Sequence, residues 1–114
     1  MLTIWHNPRC SKSRQTLARI EAAGQAVTIR RYLETPPSAS EITAVLGLLG
    51  LTHPRDITRV KDAAFKAVPN TAEMAAAQWT ALLAANPALI ERPIVSDGTR
   101  AVMGRPPENV DVLL

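Results

Sequence analysis

The stretch Leu2-Thr3-Ile4-Trp5-His6-Asn7-Pro8-Arg9-Cys10-Ser11-Lys12-Ser13-Arg14 decides both the fold and the chemistry. Residues 2–5 alternate weakly and read as a strand, Asn7-Pro8 breaks it, and a helical pattern follows from about Ser11. The only cysteine of the chain sits at this junction. A helix start leaves its first N–H groups unpaired and carries the positive end of the helix dipole, so negative charge is favoured there. A thiol in that position, beside Arg, Lys or protonated His, ionises well below its free value of about 8.5. Arg9, Lys12, His6 and Arg14 are the candidate neighbours, and Arg14 lies one helical turn beyond Cys10 on the same face. Cys10 is therefore read as a nucleophile, and the same turn suits a tetrahedral oxyanion. The alternative, an ordinary buried cysteine, is opposed by the flanking Arg9, Ser11 and Lys12, which are seldom interior.

The chain of 114 residues is long enough for one domain with a modest core. It contains no apolar run near the roughly 20 residues of a membrane span, and its N-terminus has no room for a secretory signal. A soluble cytoplasmic protein is expected, with neither membrane nor nucleic acid as partner, and a monomer. One cysteine closes no intrachain disulfide, and with two unclustered histidines no metal site is expected. The formal charge is +3, carried by ten Arg and three Lys. Arg presents a planar fork suited to bidentate contact with oxyanions, although a GC-rich genome would also raise Arg and Ala together. Up to Arg31 there are six cations against Glu21 alone, which marks the N-terminal part as electropositive.

A helix over about Ser11–Ala23, with Leu17 and Ile20 on the stripe that Ser13 begins, stops at Gly24. Val27 to Leu33 reads as a second strand. Strand, helix and strand in about thirty residues form a βαβ unit, whose ligands bind beyond the carboxyl ends of the strands, where Cys10 falls. Ser38-x-x-Glu41 is a capping box opening a helix to about Leu49. Residues 57–68 read as short helical pieces, and a second box at Asn70-x-x-Glu73 predicts a helix to about Ala85 with Ala75, Trp79, Leu82 and Leu83 toward the core. Arg92-Pro93-Ile94-Val95 enters a short strand, Asp97-Gly98 turns, and Arg100 to Met103 returns. Pro107 then starts a short C-terminal helix. The expected fold is a single α/β domain over 1–114, with the thioredoxin-like order βαβ…ββα, a central mixed sheet, and a helical insertion over about 38–86.

The motifs His6-Asn7-Pro8-Arg9-Cys10-Ser11-Lys12-Ser13-Arg14, Tyr32-Leu33-Glu34-Thr35-Pro36-Pro37, Glu91-Arg92-Pro93-Ile94-Val95 and Gly104-Arg105-Pro106-Pro107 resemble the glutaredoxin-coupled arsenate reductases, the ArsC-like branch of the thioredoxin fold, in its short form. That resemblance implies that Cys10 is the nucleophile, that His6 lowers its pKa, and that Arg59, Arg92 and Arg105 bind the substrate. It also implies a cis-proline facing the cysteine, at Pro93. Other roles are open for some of these residues: an ion pair with Asp56 or Asp62 for Arg59, hydrogen bonding to the turn for His6, and helix-end solvation for Arg105. His53 is read as structural.

The expected reaction has Cys10 attack arsenate while Arg14, Arg92 and Arg105 clamp its oxygens. Ser13 stands where a C-x-x-C pair would have its resolving thiol, so the electrons must come from outside. The resemblance implies glutathione as co-substrate with glutaredoxin as partner, and no bound cofactor. Three alternatives stand beside this: a thiol enzyme of the same fold with another substrate, a regulator of the Spx type, and a phosphatase. The last is disfavoured by C-x₃-R in place of C-x₅-R.

Overall fold

A computed structural model describes all residues 1–114. Strand β1 (Leu2–Trp5) is followed by helix α1 (Ser11–Ala22) and strand β2 (Val27–Arg30). Next come α2 (Ala39–Leu48), a 3₁₀ turn (Pro54–Ile57), α3 (Ala63–Lys66) and α4 (Ala76–Ala85). Strands β3 (Ile94–Ser96) and β4 (Ala101–Met103) form a hairpin, and a 3₁₀ helix (Pro107–Leu113) ends the chain. The four strands lie in the order β2-β1-β3-β4. β1 pairs parallel with β2 through the α1 crossover and antiparallel with β3, so the sheet is mixed. No helix is long and apolar enough to cross a membrane.

Strand periodicity divides the core in two. Leu2 and Ile4 of β1 and Val95 of β3 face Ile20 of α1 and Val110 of the C-terminal helix. Their neighbours Trp5 and Ile94 face the other way, into a larger cluster with Ile42, Val45 and Leu46 of α2 and Trp79 and Leu83 of α4. Both faces of the sheet are thus covered, and β1 is central in the core and in the sheet.

The local signals act largely as the sequence suggests. Ser38 Oγ accepts from the Glu41 N–H at 3.2 Å while the Glu41 carboxylate accepts from the Ser38 N–H at 3.0 Å, the reciprocal box that starts α2. In the hairpin turn Asp97 Oδ1 accepts from the N–H groups of Thr99 and Arg100, and Gly98 adopts φ +91°. Three expectations need correction. Asn70 does not cap an α-helix: it takes a left-handed φ of 61°, its side chain makes no cap bond, and Thr71–Glu73 form only a 3₁₀ turn. The helix starts at Ala76, where Gln78 Oε1 accepts from the Ala75 N–H at 2.7 Å. Ala75 itself is exposed. β2 ends at Arg30 because the Arg31 carbonyl turns back to accept from the N–H groups of Glu34 and Thr35. The C-terminal helix is 3₁₀, held by Asn109 Nδ2 on the carbonyls of Met103 and Arg105.

Candidate active site

Cys10 is the N-cap of α1, with extended backbone at φ −93° and ψ 123°. Its N–H donates to the Asn7 carbonyl at 3.0 Å and its carbonyl accepts from the Arg14 N–H at 3.0 Å, so the turn at the end of β1 is closed on both sides of the residue. The thiol is free and partly exposed. Burial pushes its pKa up, but the backbone N–H groups of Ser13 and Lys12, followed by the charge and hydrogen bonding of Arg92, outweigh that and hold it below the ordinary thiol value. A helix start and one guanidinium therefore favour the thiolate.

Two hydrogen bonds fix the loop around it. His6 is buried, and its Nδ1 lies 2.7 Å from Ser13 Oγ. The same oxygen accepts from the Asn7 N–H at 3.0 Å. Ser13 thus ties the end of β1 to the first turn of α1, the turn whose N–H groups face the sulfur. Burial lowers the His6 pKa, with Arg31 and Arg14 adding to it against Glu21, so the imidazole is neutral at pH 7. A neutral ring lends the thiolate no charge, and its contact with the loop runs through Ser13.

Arg59, Arg92 and Arg105 line one cavity of about 430 Å³, together with Lys61, Asp62 and Glu91. Two distant segments meet there through a backbone bridge. The Arg59 N–H donates to the Leu89 carbonyl at 2.8 Å and the Glu91 N–H to the Ile57 carbonyl at 2.7 Å, which sets Arg59 beside the Glu91-Arg92 pair. The peptide bonds Arg92-Pro93 and Arg105-Pro106 are both cis. Arg59 pairs with Asp62 at 3.2 Å, the local ion pair that its sequence neighbourhood allows, and still lines the cavity. Arg105 lies 3.9 Å from Glu91, with one guanidinium N–H on the Arg92 carbonyl at 3.3 Å. Arg92 Nε is buried with no hydrogen-bond partner, a donor that a bound oxyanion would satisfy.

Arg14 is placed elsewhere. Its guanidinium donates to the Pro8 carbonyl at 2.9 Å, across the cysteine loop, and it does not line the arginine cavity. His53 accepts from the Arg55 N–H at 3.0 Å and packs edge-on against Trp79, away from the cysteine. Tyr32, to which the sequence assigns no role of its own, has its side chain buried in the field of Arg92, Cys10 and Arg59, with Asn7 as polar neighbour of its hydroxyl. Burial raises its pKa and keeps it a neutral phenol. The signal was its position just past a parallel strand, at the sheet edge where Cys10 lies. Lys61 had no such signal.

A free thiol at a helix N-terminus after the central strand, acted on by Arg92 from a cavity shared with Arg59 and Arg105, defines a thioredoxin-like α/β thiol protein. The profile of the ArsC family matches residues 5–113. An arsenate reductase of Neisseria meningitidis serogroup A is 42% identical over 99% of this chain and 97% of its own length. One from Haemophilus influenzae is 40% identical over 94% of this chain and 93% of its own. The solved arsenate reductase of Vibrio cholerae superimposes with a TM-score of 0.95 at 41% identity, covering 99% of this chain and 97% of that one. The chain belongs to the ArsC family.

Proposed function

We propose that this chain, acting as a cytoplasmic monomer, reduces arsenate to arsenite, with Cys10 as nucleophile and glutathione with glutaredoxin as the external electron donor. The observation that carries the reading is a depressed Cys10 thiol acted on by Arg92, whose buried Nε has no partner and which lines a cavity with Arg59 and Arg105. The names of the relatives point to the same oxyanion. Arsenate repels a thiolate unless its oxygens are neutralised, and Arg92, with Arg59 and Arg105 drawn from their carboxylates, supplies that neutralisation.

The Cys10 thiolate attacks arsenic and displaces hydroxide, giving a sulfur–arsenic adduct. A glutathione thiolate then attacks the Cys10 sulfur. The sulfur–arsenic bond breaks with its electron pair left on arsenic, so As(V) becomes As(III) and a Cys10–glutathione disulfide remains. A glutaredoxin thiol takes the glutathionyl group and returns the Cys10 thiolate. Within this scheme Ser13 and His6 hold the loop, Arg14 braces it through Pro8, and the Tyr32 phenol offers a neutral proton donor at the anion. Steady-state reduction of arsenate with glutathione and glutaredoxin tests the proposal. Turnover by the wild type and none by Cys10→Ser is expected; wild-type turnover at the level of Cys10→Ser overturns it.

A further inference from the structure

The cavity through which Arg92 acts on Cys10 is larger than one oxyanion requires. A tetrahedral oxyanion replaces only a few waters at about 30 Å³ each, whereas a volume of about 430 Å³ falls within the range of about 300–1,000 Å³ typical of pockets for ligands of drug size. Its charge is also arranged for more than one anionic group. Asp62 is fully committed, with Oδ2 on Arg59 and Oδ1 accepting from the Ala64 N–H at 2.8 Å at the start of α3. Glu91 is held only loosely by Arg105, at 3.9 Å. Lys61 lines the same cavity, is exposed, and pairs with no carboxylate. Two uncompensated cations therefore remain: Arg92, whose field reaches Cys10, and Lys61, which the reaction as derived above does not use.

We propose that the Lys61 side of this cavity holds the thiol co-substrate, a zwitterionic peptide thiol whose carboxylate pairs with Lys61 and whose ammonium pairs with Glu91. The mixed lining fits that ligand: an arginine-only pocket suits a bare oxyanion, whereas a free cation and a loosely held carboxylate in one cavity suit carboxylate and ammonium on one molecule. Both reactants then approach Cys10 from a single cavity. The inference rests on glutathione as the donor, but it is separable from arsenate chemistry. The competing location is the smaller cavity of about 220 Å³ lined by the cysteine loop itself, with His6, Arg9, Arg31 and Glu34.

The test uses glutathione disulfide and needs no arsenate. The Cys10 thiolate attacks one sulfur of the disulfide, forming the Cys10–glutathione disulfide and releasing one glutathione thiolate, which mass spectrometry follows with time. Hydroxyethyl disulfide, which carries no charge, serves as the reference oxidant. An exposed ion pair is worth up to about fivefold in affinity, and charge reversal adds a repulsion of similar size. Lys61→Glu is therefore expected to lower the rate ratio of glutathione disulfide to hydroxyethyl disulfide by about tenfold, Lys61→Gln by about threefold, and Lys61→Arg by little. Arg31→Glu, the same change of charge beside the smaller cavity, is expected to keep the ratio. An unchanged ratio in Lys61→Glu, or a larger fall in Arg31→Glu, overturns the proposal. In arsenate turnover Lys61→Glu is expected to raise the KM for glutathione more than that for arsenate. The disulfide experiment keeps its answer even if arsenate proves not to be the substrate.

Discussion

Gly104 is where the end of β4 meets the cysteine helix and the proline after Arg92, and a single methyl group there has a calculable consequence. A Cβ at position 104 would stand 2.3 Å from Thr16 Oγ1, 2.8 Å from Pro93 Cγ and 2.9 Å from Thr16 Cγ2, where ordinary contact begins at 3.4 Å. Thr16 is fully buried, and its hydroxyl donates to the Lys12 carbonyl at 2.8 Å with the Gly104 carbonyl at 3.3 Å, so it cannot swing aside without losing a bond. Pro93 is tied to the same residue by the Gly104 N–H on its carbonyl at 2.9 Å. Overpacking of this kind costs about 1–3 kcal/mol, and the hydroxyl bond about 1 kcal/mol more. Gly104→Ala is therefore expected to destabilise by about 2–4 kcal/mol, seen as a loss of about 8–16 °C in Tm for a domain of this size. Urea titration and thermal melts measure it. Thr16→Ala removes two of the three close atoms, so Gly104→Ala made in that background is expected to cost at least about 1 kcal/mol less. Pro93 remains close, and since Arg92 precedes it and Arg105 follows Gly104, the single variant is also expected to raise the KM for arsenate. A cost below about 0.5 kcal/mol, or an equal cost with and without the Thr16 methyl and hydroxyl, refutes the packing argument.

Two further outcomes follow from the charges. Arg92→Leu removes a guanidinium that holds the Cys10 thiol down, so the midpoint of iodoacetamide alkylation against pH is expected to rise and alkylation at pH 7 to slow about three- to tenfold. The Ser13 and Lys12 N–H groups still oppose burial in the variant, and an unmoved midpoint excludes the contribution of Arg92. Glu41, ion-paired with Arg30 and bonded to the Ser38 N–H, has its carboxyl held down at about 2. A depressed carboxylate stabilises fully above its ordinary value of 4.5 and loses that contribution as pH falls toward about 2. Its exposed side chain limits the effect to about 0.5–1 kcal/mol. Glu41→Gln is expected to melt lower than wild type at pH 7, with the gap shrinking as pH falls from 4.5 toward about 2, where about half of the carboxylates are still ionised; a gap as wide at pH 2 as at pH 7 refutes the linkage.

Local signals were legible where one segment contains its own reason. The strand of residues 2–5, the break at Asn7-Pro8, the cysteine at the head of α1, the capping box at Ser38 and the Asp97-Gly98 turn all follow from backbone hydrogen bonding and side-chain period within a few residues. Asn70-x-x-Glu73 had the same local grammar and failed, because Asn also tolerates the left-handed region and α4 took its start from Gln78 instead. The sequence alone therefore determined the order of elements and the placement of the thiol at a helix N-terminus. Only the tertiary structure decided which cations share a cavity. A bridge between residues about thirty apart puts Arg59 beside Arg92 and brings Lys61 with it, while Arg14, close to Cys10 in the chain, turns back to the Pro8 carbonyl. A long cationic side chain can reach an acceptor in its own neighbourhood, as Arg59 and Arg14 both do, but which cations share a cavity depends on pairing between distant segments that no local pattern encodes.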